Sequence, residues 1–136
     1  MSGGYNLYTI LRDAIRDEDP VALATVIGGS ALVVDDQPVA DQVEGVASGN
    51  KLLVRPDGSV LGTLGNDDLD RVVVRDSLGE LSAGTSGVRH YGPRGQARQD
   101  EIDVFIESFA RPPQMLIFGA VDFTAALCRV AKVLGY

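Results

Sequence analysis

The stretch KLLVRPDGSVLGTL, residues 51–64, constrains the fold more than any other. Two apolar runs flank RPDGS, in which Pro56 fixes one φ and Gly58 supplies a positive one. This turn chemistry predicts a β-hairpin that reverses at 56–58. A lone hairpin is marginal in water. The rest of the chain must therefore supply a face for it to lie against.

Suitable elements flank the hairpin. Residues 5–16, YNLYTILRDAIR, place Leu7, Ile10, Leu11, Ala14 and Ile15 at helical spacing. Asn6 suits the N-cap, and DEDP stops the helix by Pro20. VALATVIGG (21–29) is short, apolar and rich in β-branched residues, which predicts a buried strand. Residues 30–50 give mixed signals: ALVV suits a strand and Asp35-Asp36-Gln37-Pro38 a turn, so the segment reads as an irregular excursion or a hairpin. In GNDDLDRVVVRDSLGEL (65–81) a loop leads into a helix, with Asp67 or Asp68 as N-cap and Leu69, Val72, Val73 and Leu78 toward the core. The triplet VVV leaves a strand open there. Residues 82–100 are rich in Gly and Ser and read as a loop. EIDVFIESFA alternates Ile102, Val104, Ile106 and Phe109, an amphipathic strand in its first part.

RPPQ (111–114) is a stiff linker, because paired prolines favour extended backbone. Beyond it, MLIFGAVDFTAALCRVAKVLGY reads as a strand at Met115–Phe118, a Gly-Ala turn and an apolar helix ending at Gly135. That order is the opening of a dinucleotide-binding βαβ unit. The whole order predicts an α/β domain, or an α+β one, with a mixed sheet flanked by helices and a C-terminal strand–helix stub of Rossmann type. The expected division is a domain over 1–110, a linker over 111–114 and the stub over 115–136.

Charge narrows the partners. Twelve basic and 19 acidic side chains leave a net charge of −7, which disfavours nucleic acid and anionic membrane. The 45% hydrophobic content fits a folded domain. No apolar run approaches the ~20 residues of a membrane span, and the N-terminus lacks the pattern of a signal peptide. The single cysteine, Cys128, allows no internal disulfide and suits a reducing cytoplasm, with its thiol expected in the core as a small hydrophobe.

Two clusters carry candidate chemistry. GNDDLD offers Asp67, Asp68 and Asp70, oxygen ligands suited to a hard cation, or simply a solvated helix cap. GVRHYGPRGQAR (87–98) gathers Arg89, His90, Arg94 and Arg98 among glycines, a composition that suits an anion. His90 is the only imidazole, and nothing near it resembles a nucleophile elbow. No catalytic residue is assigned and no metal site.

Four segments in this order resemble the XdhC and CoxI group of xanthine dehydrogenase accessory proteins: PVALATV at 20–26, GNKLLVRPDGSVLGTLGNDDLD at 49–70, RQDEIDVFIE at 98–107 and LIFGAVDFTAALC at 116–128. The resemblance implies a noncatalytic, cytoplasmic chaperone that binds molybdenum cofactor and serves a molybdenum hydroxylase. It implies a cofactor region at Gly65, Asn66, Asp68 and Arg98, with Gly119 in the dinucleotide turn. The departures are specific. One family cysteine falls on Asp68 and the other on Arg98, while family glycines fall on Asn66, Asp67, Gln99 and Asp100. A thiolate is a soft ligand suited to molybdenum or sulfur transfer; a carboxylate is not. In the dinucleotide turn only Gly119 remains, with Val121 and Thr124 at the other glycine positions.

Two rival readings stand beside the chaperone. One is a structural, oligomeric interaction module without cofactor. The other is a small metal-dependent hydrolase using Asp67–Asp70. The stub must hide its stripe of Phe123, Leu127, Val130, Ala131, Val133 and Leu134. It does so on its own domain or against the same stub of a second chain, and the proline linker favours the homodimer.

Overall fold

The computed structural model describes residues 6–29, 45–96, 101–119 and 121–136. Helix α1 (Leu7–Arg16) leads into strand β1 (Val21–Gly28). The hairpin strands β2 (Lys51–Val54) and β3 (Val60–Thr63) follow, then helix α2 (Asp67–Ala83). Strands β4 (Gly87–Tyr91) and β5 (Ile102–Phe109) complete the sheet, and helix α3 (Thr124–Val133) closes the chain. The sheet order is β3-β2-β1-β5-β4. Every pairing is antiparallel, so the helix-and-strand class is as expected but the sheet is not mixed. Short local turns and returning loops allow antiparallel neighbours, whereas parallel ones would need crossovers.

β1 is the axis of this arrangement. Its even positions Ala22, Ala24 and Val26 face α2, together with Leu52, Val54, Val104 and Ile106. Its odd positions Val21 and Leu23 face α1, with Leu53. Period-two alternation thus gives the strand two buried faces. α1 presents Leu7, Ile10, Leu11 and Ala14 to the sheet. Ile15, expected on the same face, sits at its margin and is 46% exposed. Asn6 caps the helix as expected, accepting from the Tyr8 amide at 3.1 Å.

The hairpin turns where Pro56 and Gly58 predict. The Arg55 amide donates to the Ser59 carbonyl at 2.9 Å, and Asp57 accepts from the Ser59 amide. Residues 65–81 form a helix from Asp67 onward, and VVV is helical because Leu69, Val73 and Leu81 reach the sheet on one face. The N-cap is Asn66 rather than Asp67 or Asp68: its side-chain oxygen accepts from the Leu69 amide at 3.0 Å. Within the expected 82–100 loop, residues 87–91 form edge strand β4, paired to β5. The 30–50 excursion falls mostly outside the described residues.

The terminal helix forms over nearly its expected span. Met115–Phe118, expected as a strand, joins no ladder. It pairs with neither edge strand of the sheet, β3 or β4, and an unpaired strand has nothing to hold it. The Cys128 thiol is exposed rather than buried: it lies on a side of α3 that no described element packs against.

Two glycines do different work. Gly65, at φ 106°, lies so close to Gly45 that a Cβ would collide with its carbonyl oxygen. Asn50 braces the same crossing, donating to the carbonyls of Gly45 and Leu64 at 3.0 Å each. Gly79 sits on the exposed side of α2, where a Cβ would meet nothing. Gly65→Ala should therefore lose roughly 1–3 kcal/mol through backbone strain, while Gly79→Ala should gain about 0.5–1 kcal/mol from helix propensity and a less entropic unfolded chain. Urea unfolding of the two variants checks the opposite signs.

Candidate functional site

The acidic turn and part of the basic segment meet at the start of α2. Asp67, Asp68 and Asp70 occupy the first helical turn, where the helix dipole favours negative charge. Asp70 is locked to the end of β3, accepting from the Leu64 amide at 2.8 Å and the Thr63 hydroxyl at 2.6 Å. Asp68 pairs with Arg71 one turn on. The turn carrying Arg94 is held by the Gln96 side chain and by the Gly92–Gln96 backbone bond. It packs onto α2 through Gly95, at φ 79°, where a Cβ would stand 3.0 Å from the Asp68 carbonyl oxygen. Gly65, Asn66, Asp68 and the Arg94 turn thus share one junction.

Arg89 and His90 point elsewhere. Alternation along β4 sends Arg89 to the α2 face, where it pairs with Glu80. Glu80 also accepts from the Thr85 hydroxyl. These two partners, Thr85 first and Arg89 second, hold the Glu80 carboxyl below its ordinary value. His90 lies on the other face, its Nδ1 2.7 Å from Asp103 Oδ1. Arg89, His90 and Arg94 therefore do not converge on one anion. Arg98 lies outside the described residues. Gly119, at φ 117°, opens the bend before α3 and has no atom near its Cβ position.

Sequence spacing did not reveal the Glu80–Thr85–Arg89 cluster. It joins a helix end, a loop and a strand, a juxtaposition only the tertiary fold creates. Tyr91 was also missed. It is buried, and its hydroxyl donates to Asp76 at 2.8 Å; burial and then this bond push its pKa up. Ser77, on the core side of α2, is buried with its hydroxyl unpartnered, a cost of about 1–3 kcal/mol.

Among the described residues no three His, Cys, Asp or Glu side chains gather in a way that could hold a metal ion. No helix of the described residues is long and apolar enough to cross a membrane. The fold and the junction define an α+β module with a helix on each face of an antiparallel sheet, whose acidic groups serve mainly to cap and fasten its own elements. The chain belongs to the XdhC and CoxI family, whose model matches residues 14–92. It is also similar to Uncharacterized protein YqeB of Escherichia coli (strain K12), 29% identical over 94 residues. That match covers 63% of this chain and 17% of the relative, so the chain spans under a fifth of that curated protein.

Molybdenum cofactor, which the family resemblance implies, does not fit this junction by the family's thiol route. Asp68, which the resemblance sets against one family thiol, is already engaged by Arg71. Three carboxylates crowd the helix N-terminus, the place where a pterin phosphate would otherwise find unpaired amides. Asn66 occupies the Leu69 amide as well.

The Glu80 cluster makes a pH prediction. Its carboxyl is lowered in the fold, so the stability it adds is present above the ordinary value of 4.5 and is lost as pH falls through the lowered one. Thermal melts from pH 7 to pH 3 should fall more steeply for the natural chain than for Glu80→Gln. Equal slopes would show that Glu80 does not contribute.

Proposed function

We propose that this chain is a noncatalytic accessory domain for a molybdenum hydroxylase of xanthine dehydrogenase type, acting through protein contacts rather than through a thiolate-held cofactor. Family membership supports the accessory class. The observation that carries the rest is the pairing of Asp68 with Arg71: a hard, engaged carboxylate at the position the resemblance assigns to a motif thiol. In this reading residues 1–110 form the accessory domain, 111–114 the linker, and 115–136 the start of a Rossmann-like unit used for packing. The setting is cytoplasmic, and the partners are the hydroxylase and a second copy of this chain. The junction of Gly65, Asn66, Asp68 and the Arg94 turn is the remnant of the cofactor region. The geometry lends the metal-dependent hydrolase no support, since Asp70 is held by Thr63 and Leu64 and Asp68 by Arg71.

The purified chain mixed with molybdenum cofactor should emerge from gel filtration without pterin absorbance. Asp68→Cys should raise retention measurably. Tight retention by the natural chain would overturn the thiol argument.

A second expectation concerns assembly. Deleting residues 112–136 should convert a dimer to a monomer and leave the circular dichroism of the sheet domain intact. Light scattering of the two chains at micromolar concentration reads the result.

A further inference from the structure

The chain leaves the sheet by a segment that is fastened at one point. β5 ends at Phe109, and residues 110–116 are all exposed. Among the described residues a single hydrogen bond ties 110–136 back to the sheet domain: Arg111 Nε donates to the Glu18 carbonyl at 3.1 Å. The same guanidinium lies 4.0 Å from Asp19 Oδ1, with the two side chains 67% and 68% exposed.

The end of α1 prepares the acceptor. Glu18 follows the helix at φ 56°, the left-handed conformation that glycine usually supplies at this place. The Asp19 amide reaches back to the Ala14 carbonyl at 2.8 Å, and the Glu18 amide to the Ile15 carbonyl at 3.3 Å. These bonds close the helix, and the Glu18 carbonyl beyond them is taken up by Arg111. The acceptor is a backbone group, so residue 111 alone supplies the side chain of the fastening.

Beyond this point the segment is stiff. Pro112 and Pro113 have fixed φ and no amide to donate. Arg111 precedes a proline and is confined to extended backbone as well. Ala110 precedes no proline and sits just past the ladder, so a change of direction has to arise there.

There is room for such a change on both sides. A cavity of about 540 Å³ opens toward the end of α2, lined by Leu81, Gly84, Ala110 and Pro113 among others. Another of about 380 Å³ opens toward the end of α1, lined by Ile15, Phe109, Ala110 and Pro112 among others. Neither side gives the close-packed wall that would hold the segment once Arg111 let go.

We propose that residues 110–113 are a strap, latched by Arg111 and pivoting at Ala110, that sets the direction in which residues 114–136 are presented. With the latch open, the stiff Pro112–Pro113 segment swings as a lever and re-aims everything beyond it. An exposed charge-assisted hydrogen bond favours the latched state by only about three- to tenfold. A partner that grips residues 114–136 in another direction therefore needs little differential affinity to release the strap. The device works within one chain and is the same whether or not two copies associate.

The test reads a distance inside one chain. Spin labels are placed on the exposed Cys128 and on Gly79→Cys, on the exposed side of α2 where an added Cβ meets nothing. Labelled chain is diluted in excess unlabelled chain, so that only intrachain pairs contribute. Double electron–electron resonance is expected to give one dominant distance, and Arg111→Ala in the same labelled chain is expected to lose that peak to a broad distribution. Circular dichroism is expected to match, since the Arg111 side chain lies mostly in water. A peak that survives Arg111→Ala overturns the latch, and a broad distribution in the chain that retains Arg111 overturns the fixed direction. The double substitution Pro112→Gly and Pro113→Gly keeps the latch and removes the stiffness; it is expected to broaden the distance too, and an unchanged peak overturns the lever.

Discussion

The burial of β1 on both of its faces is the interaction on which the structure depends. Val21, Ala22, Leu23, Ala24 and Val26 are almost wholly shielded, and the strand pairs with β2 on one side and β5 on the other. The two helices have nothing else in common: α1 reaches the sheet through the odd residues and α2 through the even ones. A charged side chain at Ala22 or Ala24 would be forced into the apolar core under α2, which is among the costliest changes a small domain can suffer. The small side chains there lie under α2, and the larger Leu23 lies under α1.

Much of this was legible because local and tertiary preferences agree. The Pro56–Gly58 turn can hardly be anything but a reversal, and the apolar runs beside it had to be strands. The spacing of Leu69, Val72, Val73 and Leu78 pointed to a helix, although the β-branched VVV left a strand open until packing decided it. Where the two levels separate, sequence reasoning failed. β4 hides inside a Gly-rich segment, since GVRHY gains strand character only from its ladder with β5. The stretch at Met115–Phe118 has strand composition but pairs with neither edge of the sheet. The buried fate assigned to Cys128 assumed a covering surface that the described residues do not provide.

The candidate site was legible in part. Motif order grouped Gly65, Asn66 and Asp68 with Arg98, which lies outside the described residues, and did not foresee the Arg94 turn that Gly95 brings onto α2 beside Asp68. The division of labour among the carboxylates was not visible. Asn66 rather than an aspartate takes the cap, which frees Asp70 to fasten β3 to α2 and leaves Asp68 for Arg71. Alternation along β4 separates Arg89 from His90, so a basic-looking run in the sequence becomes two unrelated pairs on opposite faces of the sheet. Composition groups residues along the chain; a strand deals them out to alternate sides.

The sheet order also sets the sequence of events in folding. β2 and β3 are joined by a tight turn and can pair without waiting for the rest of the chain, as can the helical turns of α2. β1 and β5, by contrast, bring Ala24 beside Ile106, across nearly the whole domain. That closure forfeits most of its loop entropy before any contact rewards it. The outer β4 can join only once β5 is in place. On these entropic grounds the half of the sheet nearest the hairpin is expected to order first, and the half holding β5 and β4 last. Any lesion in β5 should slow the folding reaction less than it speeds unfolding.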